Sequence, residues 1–136
     1  MGSGVTIFEP FATFAQTFPG SSFFQMQTGF EFPTDTTRAP NVFFWRGVLG
    51  KSFTQNGRVG RAWTPMAEFL AERDLATGSP TNWDIVPEMQ VTLNKRQHVR
   101  LNVGVRTPMT HRAGRPTQIA LSVLWDFFDG GLREGW

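Results

Sequence analysis

The sequence predicts an all-β fold, an antiparallel up-and-down β-barrel of about seven to eight strands. Apolar and polar residues alternate with a period of two along most of the chain, which is the spacing of side chains on the two faces of a strand. Segments rich in Gly, Pro, Asn and Asp separate the alternating runs, and these residues favour turns. We expect one domain at residues 5–128, preceded by a leader at residues 1–4 and followed by a tail at residues 129–136.

The clearest alternation lies in the second half of the chain, in runs at residues 82–94, 99–106 and 118–127, where odd positions are apolar and even positions mostly polar. Runs at residues 43–49 and 63–72 alternate in the same way, and the run at residues 24–32 alternates with its even positions apolar. Residues 5–18 are interpreted as a strand from their Phe and Thr content. Pro65 and Pro87 fall inside two of the runs, and because proline cannot donate to a strand ladder, we expect these strands to begin or bulge there.

The turns alternate in length. In chain order they are Pro19–Gly20, Pro33–Pro40, Thr54–Gly60, Asp74–Thr81, Asn94–His98 and Pro108–Pro116, roughly short, long, intermediate, long, short, long. Barrels that span a membrane have short turns at one end and long loops at the other. Seven strands place the two chain ends at opposite ends of such a barrel. We therefore expect an eighth strand, further strands from a longer chain, or a second copy to complete it.

The environment of the two faces decides the class of barrel. Lys is scarce, and no apolar stretch is long enough for a transmembrane helix, so strands are the predicted way to cross a bilayer. The predicted lumen-facing residues are Glu31, Arg46, Glu68, Glu72, Glu88, Arg100, Arg106 and Asp126. The predicted lipid-facing aromatic residues are Phe30, Trp45, Trp63, Trp83, Trp125 and Phe127. The alternative is a soluble, lipocalin-like barrel that binds an apolar small molecule, with Met89, Val91, Val103 and Leu121 pointing inward.

The last strand supports the membrane interpretation. Ile119, Leu121, Val123, Trp125 and Phe127 alternate toward a closing aromatic residue, and this pattern resembles the C-terminal strand of bacterial outer-membrane barrel proteins. More broadly, residues 60–136 resemble the C-terminal part of porin-like or transporter-type barrels. The resemblance implies location in the bacterial outer membrane, contact with membrane lipids, and a role as a passive channel component or structural scaffold. The chain departs from the pattern in continuing past the strand.

Catalytic and cofactor chemistry has little support in the sequence. There is no Cys, and the net charge of +2 is spread along the chain, so we expect no thiolate metal site, no cofactor and no nucleic-acid partner. His98 and His111 lie in turns and are interpreted as exposed histidines, which leaves a lipid-modifying enzyme as the weakest hypothesis. Arg38, Arg112 and Arg115 are interpreted as solvated loop residues.

Charged residues on the polar side are expected to neutralise one another. Glu68 and Glu72 share a face with Arg100 and Arg106, and because buried charges must be paired, a ladder of ion pairs is more consistent with this pattern than acid and base catalysis. If the lumen conducts ions, Arg46 together with the other two arginines would set its preference. In a narrow barrel of about eight strands the same side chains would fill the interior.

Overall fold

A computed structural model describes residues 5–56 and 59–136 of the chain. The predicted leader at residues 1–4 lies outside this range, as do Gly57 and Arg58 of the predicted turn from Thr54 to Gly60. Strands make up 62% of the structure, and the described residues contain no helix. None of them therefore forms a helix long and apolar enough to cross a membrane. The predicted all-β class is confirmed.

Nine strand segments form one antiparallel sheet. They are β1 (Ile7–Phe8), β2 (Phe11–Phe18), β3 (Ser22–Pro33), β4 (Val42–Lys51), β5 (Phe53–Asn56), β6 (Val59–Asp74), β7 (Asn82–Thr92), β8 (Val99–Pro108) and β9 (Gln118–Trp125). Both β1 and β2 pair with the same side of β3, and both β4 and β5 pair with the same side of β6. The nine segments therefore occupy seven consecutive positions in an up-and-down order, as the alternating runs predict.

Prolines explain where pairing is interrupted. The β7–β8 pairs stop at Ile85 and resume at Glu88 in the same register, with Pro87 between them. Pairing of β6 with β4 and β5 likewise keeps one register across the gap beside Pro65. In an antiparallel sheet each residue directs its N–H and C=O groups to only one of the two neighbouring strands. A proline therefore interrupts pairing with that strand, while pairing with the other neighbouring strand continues. The expectation that these strands begin or bulge at the two prolines is wrong.

The register gives the sheet two distinct faces, because directly paired residues point to the same side. One face, here called the polar face, carries Arg46 and Glu68. The opposite face, here called the apolar face, carries Trp45 and Phe69. Most buried side chains lie on the polar face: Val42, Phe44, Ala62, Thr64, Asp84, Val86 and Thr92.

The sheet curls toward its polar face but does not close. Glu31 on β3 and Arg106 on β8 line one cavity of about 240 Å³, although four strand spacings would separate them by about 19 Å on a flat sheet. Among the described residues, no strand pairs with the outer edge of β2 or of β9. The antiparallel order is thus as predicted, but closure into a barrel is not observed. An odd number of positions leaves the two edge strands parallel to each other, so they cannot form another antiparallel pair.

The connections separate into two ends. Residues 34–41, 75–81 and 109–117 form what we call the long-loop end, and the turn at residues 19–21 and the connection at residues 93–98 lie at the short-turn end. The described part of the chain enters at the long-loop end, where Ile7 pairs with Pro33. It leaves from Trp125 at the short-turn end, so the first and last described strands begin and finish at opposite ends of the sheet.

Candidate functional site

Seven of the eight predicted lumen residues lie on the polar face: Glu31, Arg46, Glu68, Glu72, Glu88, Arg100 and Arg106. The strand alternation and the shared register bring them together from β3, β4, β6, β7 and β8. The eighth, Asp126, lies one residue beyond β9, where its carboxylate accepts a hydrogen bond from the backbone N–H of Phe128 at 3.2 Å. It caps a turn at the edge of the sheet, directly after the last residue of β9.

The long-loop half of the polar face holds a mixed charged cavity. Glu31, Glu68 and Glu72 line it together with Arg46 and Arg106, and Phe44 and Leu70 form apolar parts of its wall. Carboxylates and guanidinium groups thus face a common space without direct contact. Such a surface can hold water and small charged solutes.

The predicted ion-pair ladder does not form. In the described part of the chain, neither Glu68 nor Glu72 has a cationic nitrogen within ion-pair distance. Arg106 on β8 lies two strands away from Glu68, about 10 Å on a flat sheet, whereas Asp84 on β7 is on the adjacent strand. Arg100 lies near the short-turn end, where its Nε donates to the backbone carbonyl of Gln97 at 3.0 Å.

Asp84 is the carboxylate that the arginines do bind. Its side chain is 3% exposed, and Arg106 donates to its Oδ2 from Nε at 2.7 Å and also from Nη2. Arg115, from the loop between β8 and β9, donates to Oδ1 at 2.5 Å and to the backbone carbonyl of Thr110 at 2.8 Å. The cluster therefore holds a long loop against the polar face, beside a cavity of about 230 Å³.

The expectation that Arg115 is a solvated loop residue is wrong, because it packs onto a buried carboxylate. Arg112 is exposed, as expected. Arg38 makes an exposed ion pair with Asp35 at 3.3 Å. Hydrogen bonds from Thr37 lower the pKa of the Asp35 carboxyl below its usual value. Strand alternation alone puts Asp84 and Arg106 on one face, but no local signal in the sequence indicates that a distant loop returns to them.

The apolar face is the exposed face of the sheet. Its aromatic residues include Phe30, Trp45, Trp63, Trp83 and Trp125 from the predicted lipid-facing set. Trp45 and Trp83 lie in one row across the sheet with ring centroids 5.9 Å apart. Phe127 follows β9, and its ring centroid lies 6.3 Å from that of Trp125. The aromatic residues gather toward the two ends of the strands.

Charges on the apolar face occupy the margins. Lys51 and Arg61 lie on the short-turn side and Arg73 lies on the long-loop side. The Lys51 ammonium sits over the Phe53 ring, 5.3 Å from its centroid. Between these margins, the described strand residues of the apolar face are uncharged.

His98 is buried, contrary to the expectation of an exposed turn histidine; its exposure is 1%. Asn94 Nδ2 donates to His98 Nδ1 at 3.0 Å, and His98 Nε2 donates to the backbone carbonyl of Gly131 at 3.0 Å. The backbone N–H of Lys95 donates to the carbonyl of Gly135 at 2.6 Å. The tail at residues 129–136 therefore packs over the β7–β8 connection. His111, by contrast, is exposed as expected.

In the part of the chain that the structure describes, no three His, Asp or Glu side chains lie close enough together to bind a metal ion. Comparison with protein-family models, curated proteins and solved structures found no match for this chain. The two faces of the sheet are therefore the main indication of function.

Proposed function

We propose that this chain forms part of the wall of a β-barrel in the bacterial outer membrane, acting as a passive channel component or a structural scaffold without catalysis. One observation carries the proposal: the sheet curls around its polar face and exposes its apolar face. A water-soluble sheet has the reverse arrangement, because its apolar side chains are the ones that leave water on folding. Apolar residues outside and polar residues inside are typical of transmembrane barrels.

The edge strand β9 is exposed on both faces, and the side chains on its apolar face leave a large apolar area in contact with solvent. Ile119 is 81% exposed, Leu121 69% and Val123 63%. Each of these side chains would lose about 1.5–3 kcal/mol of favourable transfer free energy by remaining in water. A hydrocarbon environment removes that cost, and it supports membrane lipids as the principal partner of the apolar face.

The dimensions of the apolar face also support a bilayer. On β6, Trp63 lies near one margin, and Ala71 lies in the row of Trp45 and Trp83 near the other. These positions are separated by about 27 Å along the strand, or about 21 Å along the membrane normal at a typical tilt of about 40°. The apolar band of outer-membrane barrels is about 25 Å tall. Aromatic and basic side chains at both margins suit the headgroup region.

The alternating connection lengths support the bacterial outer membrane in particular. In bacterial barrels the short turns face the periplasm and the long loops face outward. The long-loop end here, including the loop held by Asp84, would then lie outside the cell. The mixed charged cavity on the polar face is consistent with a water-filled lumen.

The lipocalin-like alternative requires Met89, Val91, Val103 and Leu121 to surround an interior cavity. All four lie on the apolar face, away from the curl. Met89 and Val103 are 42% and 41% exposed. Val91 lines an open cleft of about 270 Å³ with Trp63 and Ala62, but the four side chains do not surround a common cavity inside the curl, and this arrangement favours the membrane proposal.

Quenching of tryptophan by brominated lipid tests the proposal. Two variants would each keep one tryptophan, Trp45 on the apolar face or Trp136 in the tail, with the remaining tryptophans replaced by Phe. In vesicles of phosphatidylcholine brominated in its acyl chains, we expect stronger quenching of Trp45 than of Trp136. Equal, weak quenching of both, together with a monodisperse protein in detergent-free buffer, would contradict membrane insertion.

A further inference from the structure

The two free edges of the sheet run in the same direction. All pairings in the described sheet are antiparallel, and β2 and β9 occupy the first and last of seven positions. Both strands run from the long-loop end to the short-turn end. A second copy inserted in the same orientation would therefore meet these edges only through parallel seams.

Alternate residues of β9 bond to β8, and the residues between them have backbone groups without partners in the described sheet. The N–H of Asp126 donates to the carbonyl of His98 at 2.8 Å, in continuation of the β8–β9 ladder. Because hydrogen-bonded pairs alternate in an antiparallel ladder, even-numbered residues of β9 bond to β8. Ile119, Leu121, Val123 and Trp125 consequently direct their N–H and C=O groups to the free edge. Their side chains lie on the apolar face.

On the free edge of β2, the outward backbone groups belong to residues whose side chains lie on the polar face. The N–H of Phe30 donates to the carbonyl of Pro10 at 3.0 Å, so even-numbered residues on the β2 side bond to β3. The odd-numbered residues Phe11, Thr13, Ala15 and Thr17 direct their backbone groups outward, and their side chains lie on the polar face. In hydrocarbon, each unpaired backbone group costs several kcal/mol, so neither edge can stay open in a bilayer.

We propose that an odd number of further antiparallel strands, a single one in the simplest case, fills the gap between β9 and β2. This inference rests on the proposed membrane function. The strand next to β9 runs from the short-turn end to the long-loop end, with apolar side chains outside and polar side chains inside. It bonds to β9 through its apolar-facing residues. The last inserted strand bonds to β2 through its polar-facing residues.

An existing strand shows that this pattern can be met. The N–H of Leu93 donates to the carbonyl of Val99 at 2.8 Å, so β8 bonds to β7 through its odd-numbered, apolar-facing residues and to β9 through its even-numbered ones. β8 also runs toward the long-loop end. A strand with the β8 sequence, VRLNVGVRTP, therefore has the direction, faces and bonding phase that the gap requires.

Amide hydrogen exchange in detergent tests the proposal on the full chain. In the chain alone, we expect slow exchange at Ala120 and Ser122 and fast exchange at Leu121 and Val123. Addition of a synthetic peptide of the β8 sequence should slow exchange at the latter two amides by about tenfold or more, because each gains a carbonyl partner. A control peptide with proline in place of the residue equivalent to Val103 lacks one of the required donors and should protect less.

The outcomes separate the possible occupants. A particle mass of two copies, with the Leu121 and Val123 amides protected in the absence of peptide, would show that a second copy fills the gap and would overturn the proposal. Failure of the β8 peptide to slow exchange at either residue would also overturn it. Failure of the membrane proposal shows instead as a monodisperse protein in detergent-free buffer with unquenched Trp45, so the two failures are distinguishable.

Discussion

Replacement of Asp84 by Asn should remove the central interaction of the polar face. The carboxylate receives donors from both Arg106 and Arg115. Loss of one partner from a buried charge pair usually costs about 3–5 kcal/mol. The two guanidinium side chains are 41% and 26% exposed, and solvent stabilises the charges left behind, so we expect a smaller loss of about 2–3 kcal/mol in the free energy of unfolding.

Urea unfolding in detergent micelles, followed by tryptophan fluorescence, measures this change. Replacement of Arg115 by Met should cost only about 1 kcal/mol, because Arg106 still binds the carboxylate. In the double variant, the loss of Arg115 should cost less than it does in the parent, because only its hydrogen bond to Thr110 remains to be lost once Asp84 is Asn. Asp35→Asn, in an exposed ion pair, is the matched control and should leave the unfolding midpoint unchanged. An Asp84→Asn variant no less stable than this control would refute the assigned role of the cluster.

Two further predictions concern the apolar face and the tail. Val103→Arg places a charge on the apolar face and should make the free energy of folding into lipid vesicles less favourable by about 2–4 kcal/mol. The control, Gln90→Arg on the polar face, should fold nearly as the parent does. Equal effects of the two variants in a urea titration would argue against lipid contact. His98→Ala leaves buried polar groups of the tail unpaired and should cost about 1–3 kcal/mol. Trypsin should then cleave faster after Arg133, and His111→Ala should not change that rate.

Much of the sheet was predictable because side-chain alternation is a local property of strands. Residues 82–94 and 99–106 alternate clearly, and β7 and β8 lie there with the predicted apolar and polar faces. The expectation that strands begin or bulge at the prolines fails for a physical reason. Whether Pro87 breaks a strand depends on which neighbour its missing N–H would have bonded, and a strand's neighbours are known only once the sheet is assembled.

The polar site shows a sharper division. Alternation puts Glu68, Glu72 and Arg106 on one face, but it does not determine how far apart residues on different strands lie. The sheet register brought Arg106 to Asp84, and the long loop brought Arg115 to the same carboxylate. His98 was likewise expected to be exposed because it lies in a turn, yet the tail returns over it.

The amino-acid sequence by itself determined the all-β class, the seven strand positions, the two unlike faces and the alternating connections, because periodicity and turn residues act over a few neighbouring positions. The tertiary structure alone decided which face is exposed, because that depends on the direction in which the sheet curls. It also decided which charges meet and showed that both open edges run the same way. These properties arise from contacts between residues far apart in the chain.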